Sequence, residues 1–423
     1  MKVFKFGGGV MNSAGAVGRI PEIIRRYPGI PLVIVVSAFG KTTNALEELI
    51  ASTISADGRS GRLFRQIKEY HDEITRQLFP NDSKEPEIRT GAQWNELERI
   101  TGSEVTGTAA EIYDRMIVFG ELISSVIVSE YLNRQGIENT WCDIRTVVRT
   151  DSVFRDASID WEVSEKQSDA ILKPLLKSVG GIRPVVVTQG FIGSDDLGRS
   201  TSLGREGSDY TASVLASLLD ASEVITWKDV PGILNADPRH FSQTIKLERI
   251  SYSEATELAY YGAKVLHPKT IKPLQNKNIP LQVRSFEEPD QPGTLIQEET
   301  GVESLVPSFI FKFGQVLMSV SAKDFSFIDE KVFRDVFSLL SKYAIHVNII
   351  QNSALSLSFC TDSHGHLVEL IDGLRDDYIV KYNEGLELIT IRHSNDRASE
   401  IVLSGREVLL EQHNRVVSQY VVR

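Results

Sequence analysis

The sequence predicts an α/β protein with a mostly parallel sheet between helices, followed by a smaller unit of different pattern. Three observations carry this expectation. Short runs without polar alternation, at 31–36 (PLVIVV), 184–188 (PVVVT) and 223–227 (EVITW), read as strands buried on both faces. Helical stretches separate them, which is the order of a doubly covered parallel sheet. Beyond a polar linker at 297–306 (QEETGVESLV) the order changes to strand, helix, two strands, helix, strand.

Each element has its own warrant. Residues 3–6 form a short strand that runs into a glycine turn. Residues 61–79 place Leu63, Phe64, Ile67, Tyr70, Ile74 and Leu78 at spacings of three and four, so an amphipathic helix is expected. In the second half, 309–320 reads as a strand, 330–343 as an amphipathic helix, and 346–350 and 354–359 as strands joined by a turn. A helix over 366–375 and a strand over 378–382 complete a ferredoxin-like βαββαβ unit. Three further strands (386–393, 407–414, 416–423) and one short helix then look like a reduced second copy.

Composition narrows the function classes. At 423 residues the chain is long enough for two or three domains. Forty-six basic against 57 acidic residues leave a net charge of −11, a poor match to nucleic acid or an anionic membrane. The most apolar run, 30–39, is half the length a bilayer needs, and the opening MKVFKFGGG has no apolar leader core. Cys142 and Cys360 form no CxxC pair, and a reducing cytoplasm is the expected compartment.

Two clusters suit anionic ligands. Lys5 ends a strand and is followed by Gly7, Gly8 and Gly9, a turn whose N–H groups can approach phosphate oxygens while the ammonium adds charge. Gly204-Arg205-Glu206-Gly207-Ser208-Asp209 precedes an apolar helix, which Ser208 or Asp209 could cap, and Arg205 can hold a carboxylate. Other tempting signals fail. Gly40-Lys41-Thr42 lacks the earlier P-loop glycine, since Val35 stands there, and no GxGxxG occurs. Residues 227–232 (WKDVPG) and 237–239 (DPR) read as turn chemistry, and His267 as structural. The histidines show no zinc-ligand spacing, so no metal site built from protein side chains is expected.

Taken in order, the motifs resemble the aspartate kinases of the amino acid kinase family. The matching segments are KFGG (5–8), FGE (119–121), DIRTVVRT (143–150), TQGFIG (188–193), LGREGSDYTA (203–212), WKDVPGI (227–233), DPR (237–239) and GAKVLHP (262–268). The resemblance implies a catalytic domain over 1–297 with a mainly parallel eight-stranded sheet between helices. Two ferredoxin-like ACT modules would follow over 303–423, the first about 307–384 and the second, reduced, about 385–423. It also implies transfer of phosphate from ATP, with Mg²⁺ on the nucleotide, to L-aspartate, giving 4-phospho-L-aspartate. That product opens the route to lysine, threonine, methionine and diaminopimelate.

The same resemblance assigns roles. Lys5 and Asp209 are the catalytic pair it implies. Ser37, Thr43, Glu121, Arg205, Ser208 and Asp209 would meet the amino acid. Lys5, Gly7, Gly8, Gly9, Lys228, Asp229, Leu234, Arg239, Lys264 and Val265 would meet ATP. Asn348, Asn352 and Ser353 would line an effector site where ACT modules of a homodimer meet, for lysine, threonine or another amino acid. The chain departs from the pattern at Gly9-Val10-Met11, where Val10 lacks the usual hydroxyl. Glu206 replaces a glycine, Lys228 a threonine and Leu234 a tyrosine. Glutamate 5-kinase and acetylglutamate kinase share the phosphate chemistry, and a catalytically weak amino-acid sensor is the alternative from another class.

Overall fold

The computed structural model describes every residue except 81–83, 103–105, 179–182, 242, 264–265, 299–305 and 364. Most of the expected linker therefore lies outside the described residues. The chain divides into two compact units. The first comprises 1–233, 248–256 and 265–303, and the second 234–247, 257–264 and 304–423.

The first unit is built on ten strands: β1 (Lys2–Phe6), β2 (Leu32–Val36), β3 (Thr140–Cys142), β4 (Val185–Gln189), β5 (Ile192–Ser194), β6 (Ser200–Ser202), β7 (Glu223–Lys228), β8 (Arg249–Ser251), β9 (Leu281–Ser285) and β10 (Thr294–Gln297). Eight form one sheet in the order β3-β4-β2-β1-β7-β9-β10-β8, while β5 and β6 make a separate hairpin. Every pairing in the large sheet is parallel except β9 with β10. β2 and β4 are buried at every position, as strands covered on both faces must be.

β1 lies between β2 and β7, and its alternation sorts two jobs onto two faces. Phe4 and Phe6 point into an aromatic cluster. The Phe6 ring lies parallel to Trp227 at 6.3 Å and meets Phe286 edge-on at 6.0 Å. Lys5 points to the other face. It stands in register with Val35 of β2 and Thr226 of β7.

The helix expected over 61–79 spans Ser60–Leu78, but its buried stripe includes His71, with Tyr70 half-buried beside it. The imidazole is sealed between Phe39 and Trp94, and burial pushes its pKa down to about 4. A second helical stretch, Ala109–Arg134, lies outside the 30–39 run and is long and apolar enough to cross a membrane. Its apolar window is 83% buried inside the protein, so it serves as a core element.

The second unit carries β11 (Ser308–Ala322), β12 (Val347–Asn352), β13 (Leu357–Asp362), β14 (Tyr378–Arg392), β15 (Val408–His413) and β16 (Val417–Val422), in one antiparallel sheet ordered β12-β13-β11-β14-β16-β15. Its first four strands with the helices Glu330–Lys342 and Leu367–Arg375 make the expected βαββαβ module. Two expectations are corrected. The strands at 378–382 and 386–393 are one continuous β14, in which Asn383 and Leu386 stay paired with Leu317 and Gln315 while the register with β11 shifts on either side of Gln315. The strand expected from 354 begins at Leu357. The Ser353 N–H donates to the Ser356 carbonyl at 2.8 Å and closes a hairpin that leaves Ala354 and Leu355 at its tip.

The aromatic cluster behind β1 is the structural counterweight to the charged face. Phe6→Ala should destabilise the first unit by about 3–5 kcal/mol, the usual loss for a fully buried ring, measured by urea unfolding.

Candidate active site

The site is assembled at the carboxyl ends of β1, β2 and β7. After β1 the chain turns through Gly8, where a Cβ would lie 2.5 Å from the Ala38 carbonyl oxygen. That approach explains the glycine and locks the turn against the segment after β2. The Gly40 N–H donates to the Gly8 carbonyl at 3.1 Å. The helix Phe119–Arg134 holds the same segment from the other side. The Ser124 hydroxyl accepts from the Phe39 N–H at 3.0 Å, and Glu121 Oε1 from the Ala38 N–H at 3.4 Å.

Lys5 Nζ donates to Asp209 Oδ2 at 3.1 Å, and both groups are buried. Lys228 Nζ approaches the same oxygen at 3.5 Å, and the Thr226 hydroxyl donates to Asp209 Oδ1 at 3.3 Å. Burial depresses the Lys5 ammonium; the Asp209 charge opposes this and Lys228 reinforces it. Burial also works against ionising Asp209, but the cations Lys228 and Lys5 outweigh it and hold the carboxyl below its usual range. One carboxylate thus serves two cations, leaving net positive charge at this end of the cavity.

Asp209 does not cap its helix, Gly207–Leu218, and neither does Ser208. The N-cap is Glu206, in the left-handed conformation at φ 53° and without a side-chain cap bond. The chain enters the helix through that kink, which turns Asp209 inward to the lysines. His267 does act structurally, its ring nitrogen accepting from the Lys269 N–H at 3.2 Å to cap the helix Pro268–Lys277.

Glu121 is 3% exposed, and among the described residues its Oε2 has no hydrogen-bond partner. Burial raises its pKa to about 8, against the pull of the Ala38 amide and Lys5. A buried carboxylate left half-satisfied beside a cavity is suited to an incoming cation.

A cavity of about 660 Å³ joins these groups. Among the expected residues it brings together Lys5, Gly8, Gly9, Ser37, Thr43, Glu121, Arg205, Ser208, Asp209 and Lys228. Gly7 sits just behind, where a Cβ would lie 3.3 Å from Lys5 Nζ. Asp229 does not line the cavity. Leu234 and Arg239 belong to the second unit, and Arg239 is engaged by Asp237 in its own turn at 2.6 Å. Lys264 and Val265 lie outside the described residues. Sequence reasoning missed Glu47, Tyr113, Arg155 and Phe191, which line the cavity together with Glu206, Ala38, Gly40, Gly204 and Gly207. Phe191 lies within a quoted motif, TQGFIG, whereas the other three fall in no motif.

Residues 1–285 match the family model described as the amino acid kinase family. The lysine-sensitive aspartokinase 3 of Escherichia coli (strain K12) is 34% identical over 368 residues, spanning 86% of this chain and 78% of that protein. This chain belongs to the amino acid kinase family, in its aspartokinase branch. The crystal structure of E. coli aspartokinase III in complex with aspartate and ADP (R-state) superposes with a TM-score of 0.82 at 28% identity, covering 100% of this chain and 96% of that one. The complex with lysine and aspartate (T-state) gives 0.81 at 29%, with the same coverage. The fold expectation therefore holds for both parts, an amino acid kinase sheet and a pair of ACT modules with the second reduced.

In the ACT pair, Asn348 is tied into a polar network. Its Oδ1 accepts from Lys312 Nζ at 2.8 Å, and its Nδ2 donates to Gln315 Oε1 at 2.8 Å and Asp362 Oδ1 at 3.1 Å. Asn352 ends β12, and Ser353 bonds within the hairpin turn.

The state of Glu121 has a measurable consequence. Its folded pKa of about 8 lies above the ordinary glutamate value of 4.5, so the folded chain holds a proton there that the unfolded chain loses. Stability from this group is therefore highest below the lower value and is lost as pH rises to the upper one. The ligand-free Glu121→Gln variant should match the wild-type Tm near pH 4.5, exceed it increasingly up to pH 8, and hold that margin above, measured by scanning calorimetry.

Proposed function

We propose that this chain transfers the terminal phosphoryl group of ATP to the side-chain carboxylate of L-aspartate. The observation that carries the reading is the single cavity in which Glu121, Arg205, Lys5, Asp209 and Lys228 converge. Glu121 takes the substrate ammonium and Arg205 a carboxylate, with Ser37 and Thr43 on the same wall. Ser208 lies on the amino-acid side, and Lys5, Lys228 and the N–H groups of Gly8 and Gly9 face the phosphates. No general base is required, since a carboxylate nucleophile of pKa ~3.9 is already ionised at neutral pH. Asp209 is committed to the two lysines and orients them. Lys5, fixed by that bond, sits where charge builds on the transferring group and spreads toward the leaving oxygen.

Among the described residues no group of three His, Cys, Asp or Glu could hold a metal ion, so Mg²⁺ fits here as an ion borne by the nucleotide. Bound to the phosphate oxygens it would supply charge neutralisation. The lysines would then align the phosphate chain beside it.

The product enters biosynthesis of lysine, threonine, methionine and diaminopimelate, and an amino acid acting on the ACT modules of a homodimer regulates the flux. Lys312 already donates to Asn348, so a lysine ammonium entering there would meet a resident cation. This favours an effector other than lysine alone.

Aspartate-dependent ADP release with Mg-ATP, with the acyl phosphate trapped by hydroxylamine, tests the activity. Turnover specific to aspartate is expected; amino-acid binding without turnover would instead identify a sensor. Lys5→Ala should lower kcat about 10²-fold or more, the size of one lost transition-state donor. Near-normal turnover would refute the role given to Lys5. The KM for aspartate should rise as pH falls below 8, where Glu121 gains its proton. Glu121→Gln should raise that KM and flatten the profile.

A further inference from the structure

Three non-glycine residues on the cavity wall hold left-handed backbone, Arg155 at φ 73°, Phe191 at φ 73° and Glu206 at φ 53°. Such a conformation costs free energy for a residue with a Cβ and persists where the surroundings enforce it. At Arg155 they do. Its N–H donates to Asp114 Oδ2 at 3.0 Å. Asp114 is fully buried, and it also receives the Ser202 N–H at 2.8 Å and the Ser202 hydroxyl at 2.5 Å. The backbone is therefore clamped to β6, and the side chain has one direction to leave.

That direction is also prepared. The guanidinium carbon sits 4.3 Å from the centre of the Tyr113 ring. Tyr113 is held in turn by its hydroxyl, which donates to Glu47 Oε1 at 2.8 Å. All three side chains line the cavity. The ring face steadies the cation without satisfying its donors, and among the described residues the Arg155 guanidinium forms no ion pair. Arg205 is in the same condition. By contrast, Lys5 and Lys228 are both engaged by Asp209.

We propose that Arg155 binds the α-carboxylate of the amino acid acceptor alongside Arg205, and so selects for acceptors that carry one. This rests on the phosphoryl-acceptor reading above. An aspartate brings one ammonium and two carboxylates. Glu121 answers the ammonium. The nucleophilic carboxylate must keep an oxygen open toward phosphorus, so the planar fork of a guanidinium is best matched to the other carboxylate. Two unpaired guanidinium groups on one wall supply more donors than a single carboxylate clamp requires. The pre-formed seat on Tyr113 lets the ligand form these bonds with little side-chain ordering left to do.

The test compares wild type with Arg155→Gly and Arg155→Asn, two replacements that tolerate left-handed backbone, so folding should survive in both. Steady-state kinetics would use L-aspartate, its α-carboxamide and Mg-ATP. Each variant should raise the KM for aspartate about tenfold or more, the loss expected for charged hydrogen bonds. The KM for ATP and the kcat should stay within about twofold of wild type. The wild-type preference for aspartate over the α-carboxamide should shrink in both variants, a readout that a purely structural role would not move. An unchanged KM for aspartate in a folded variant would overturn the proposal. So would an equal rise for ATP, or a preserved preference over the α-carboxamide. Absence of aspartate turnover in the wild type would remove the acceptor reading itself and this inference with it.

Discussion

The rest of the catalytic unit depends on the buried contact between Lys5 and Asp209. A lysine at the end of a central strand and an aspartate in the first turn of a helix can meet only if the strand, the turn and the helix entry are all fixed. Each is. β1 is locked by β2 and β7, the Gly8 turn by the segment after β2, and the helix entry by the left-handed Glu206. A buried ammonium without its partner would be far more costly than the exposed ion pairs on the surface, so the pair forces these three elements into agreement. Lys228 joins the same oxygen, and the excess positive charge is confined to the end of the cavity where polyanionic phosphates are proposed to bind.

Much of this was legible in the sequence because parallel sheets advertise themselves. Uninterrupted apolar runs gave β2, β4 and β7, and glycine clusters after β1 and β6 marked Lys5 and Arg205. Glu121 was reachable only through family resemblance, since nothing in a glutamate near a helix start signals that burial will strand one of its oxygens. Glu47, Tyr113 and Arg155 were not legible. They are brought together by tertiary contacts among two helices and a loop, and each alone looks like ordinary surface. Leu234 and Arg239 show the converse. Their motifs are recognisable, yet these residues pack with the second unit, a partition that local pattern does not encode.

The polar groups of the catalytic unit divide into two kinds. Asp114 and Asp195 are buried with their acceptor positions filled by backbone and side-chain donors, so they serve as fixed braces. Glu121, Arg155 and Arg205 retain open bonding capacity on the cavity wall. The proposed binding chemistry draws on the second kind and geometry on the first. The two must be adjacent, since an unsatisfied charge holds its position only when its neighbours have no freedom of their own.

β14 runs without a break through both ACT modules. Its first half pairs with the latter part of β11, and its second half with the start of β11 and with β16. Leu388 faces one core while Ile389 and Ile391 face another on the opposite side of the sheet. A slip of one residue along this strand would turn the interior of both modules outward together. The ladder thus behaves as a single beam with one soft region, where the register with β11 shifts twice, at Gly314 and then opposite it at Glu384-Gly385. Bending there would tilt the modules against each other while every hydrogen bond on either side kept its register.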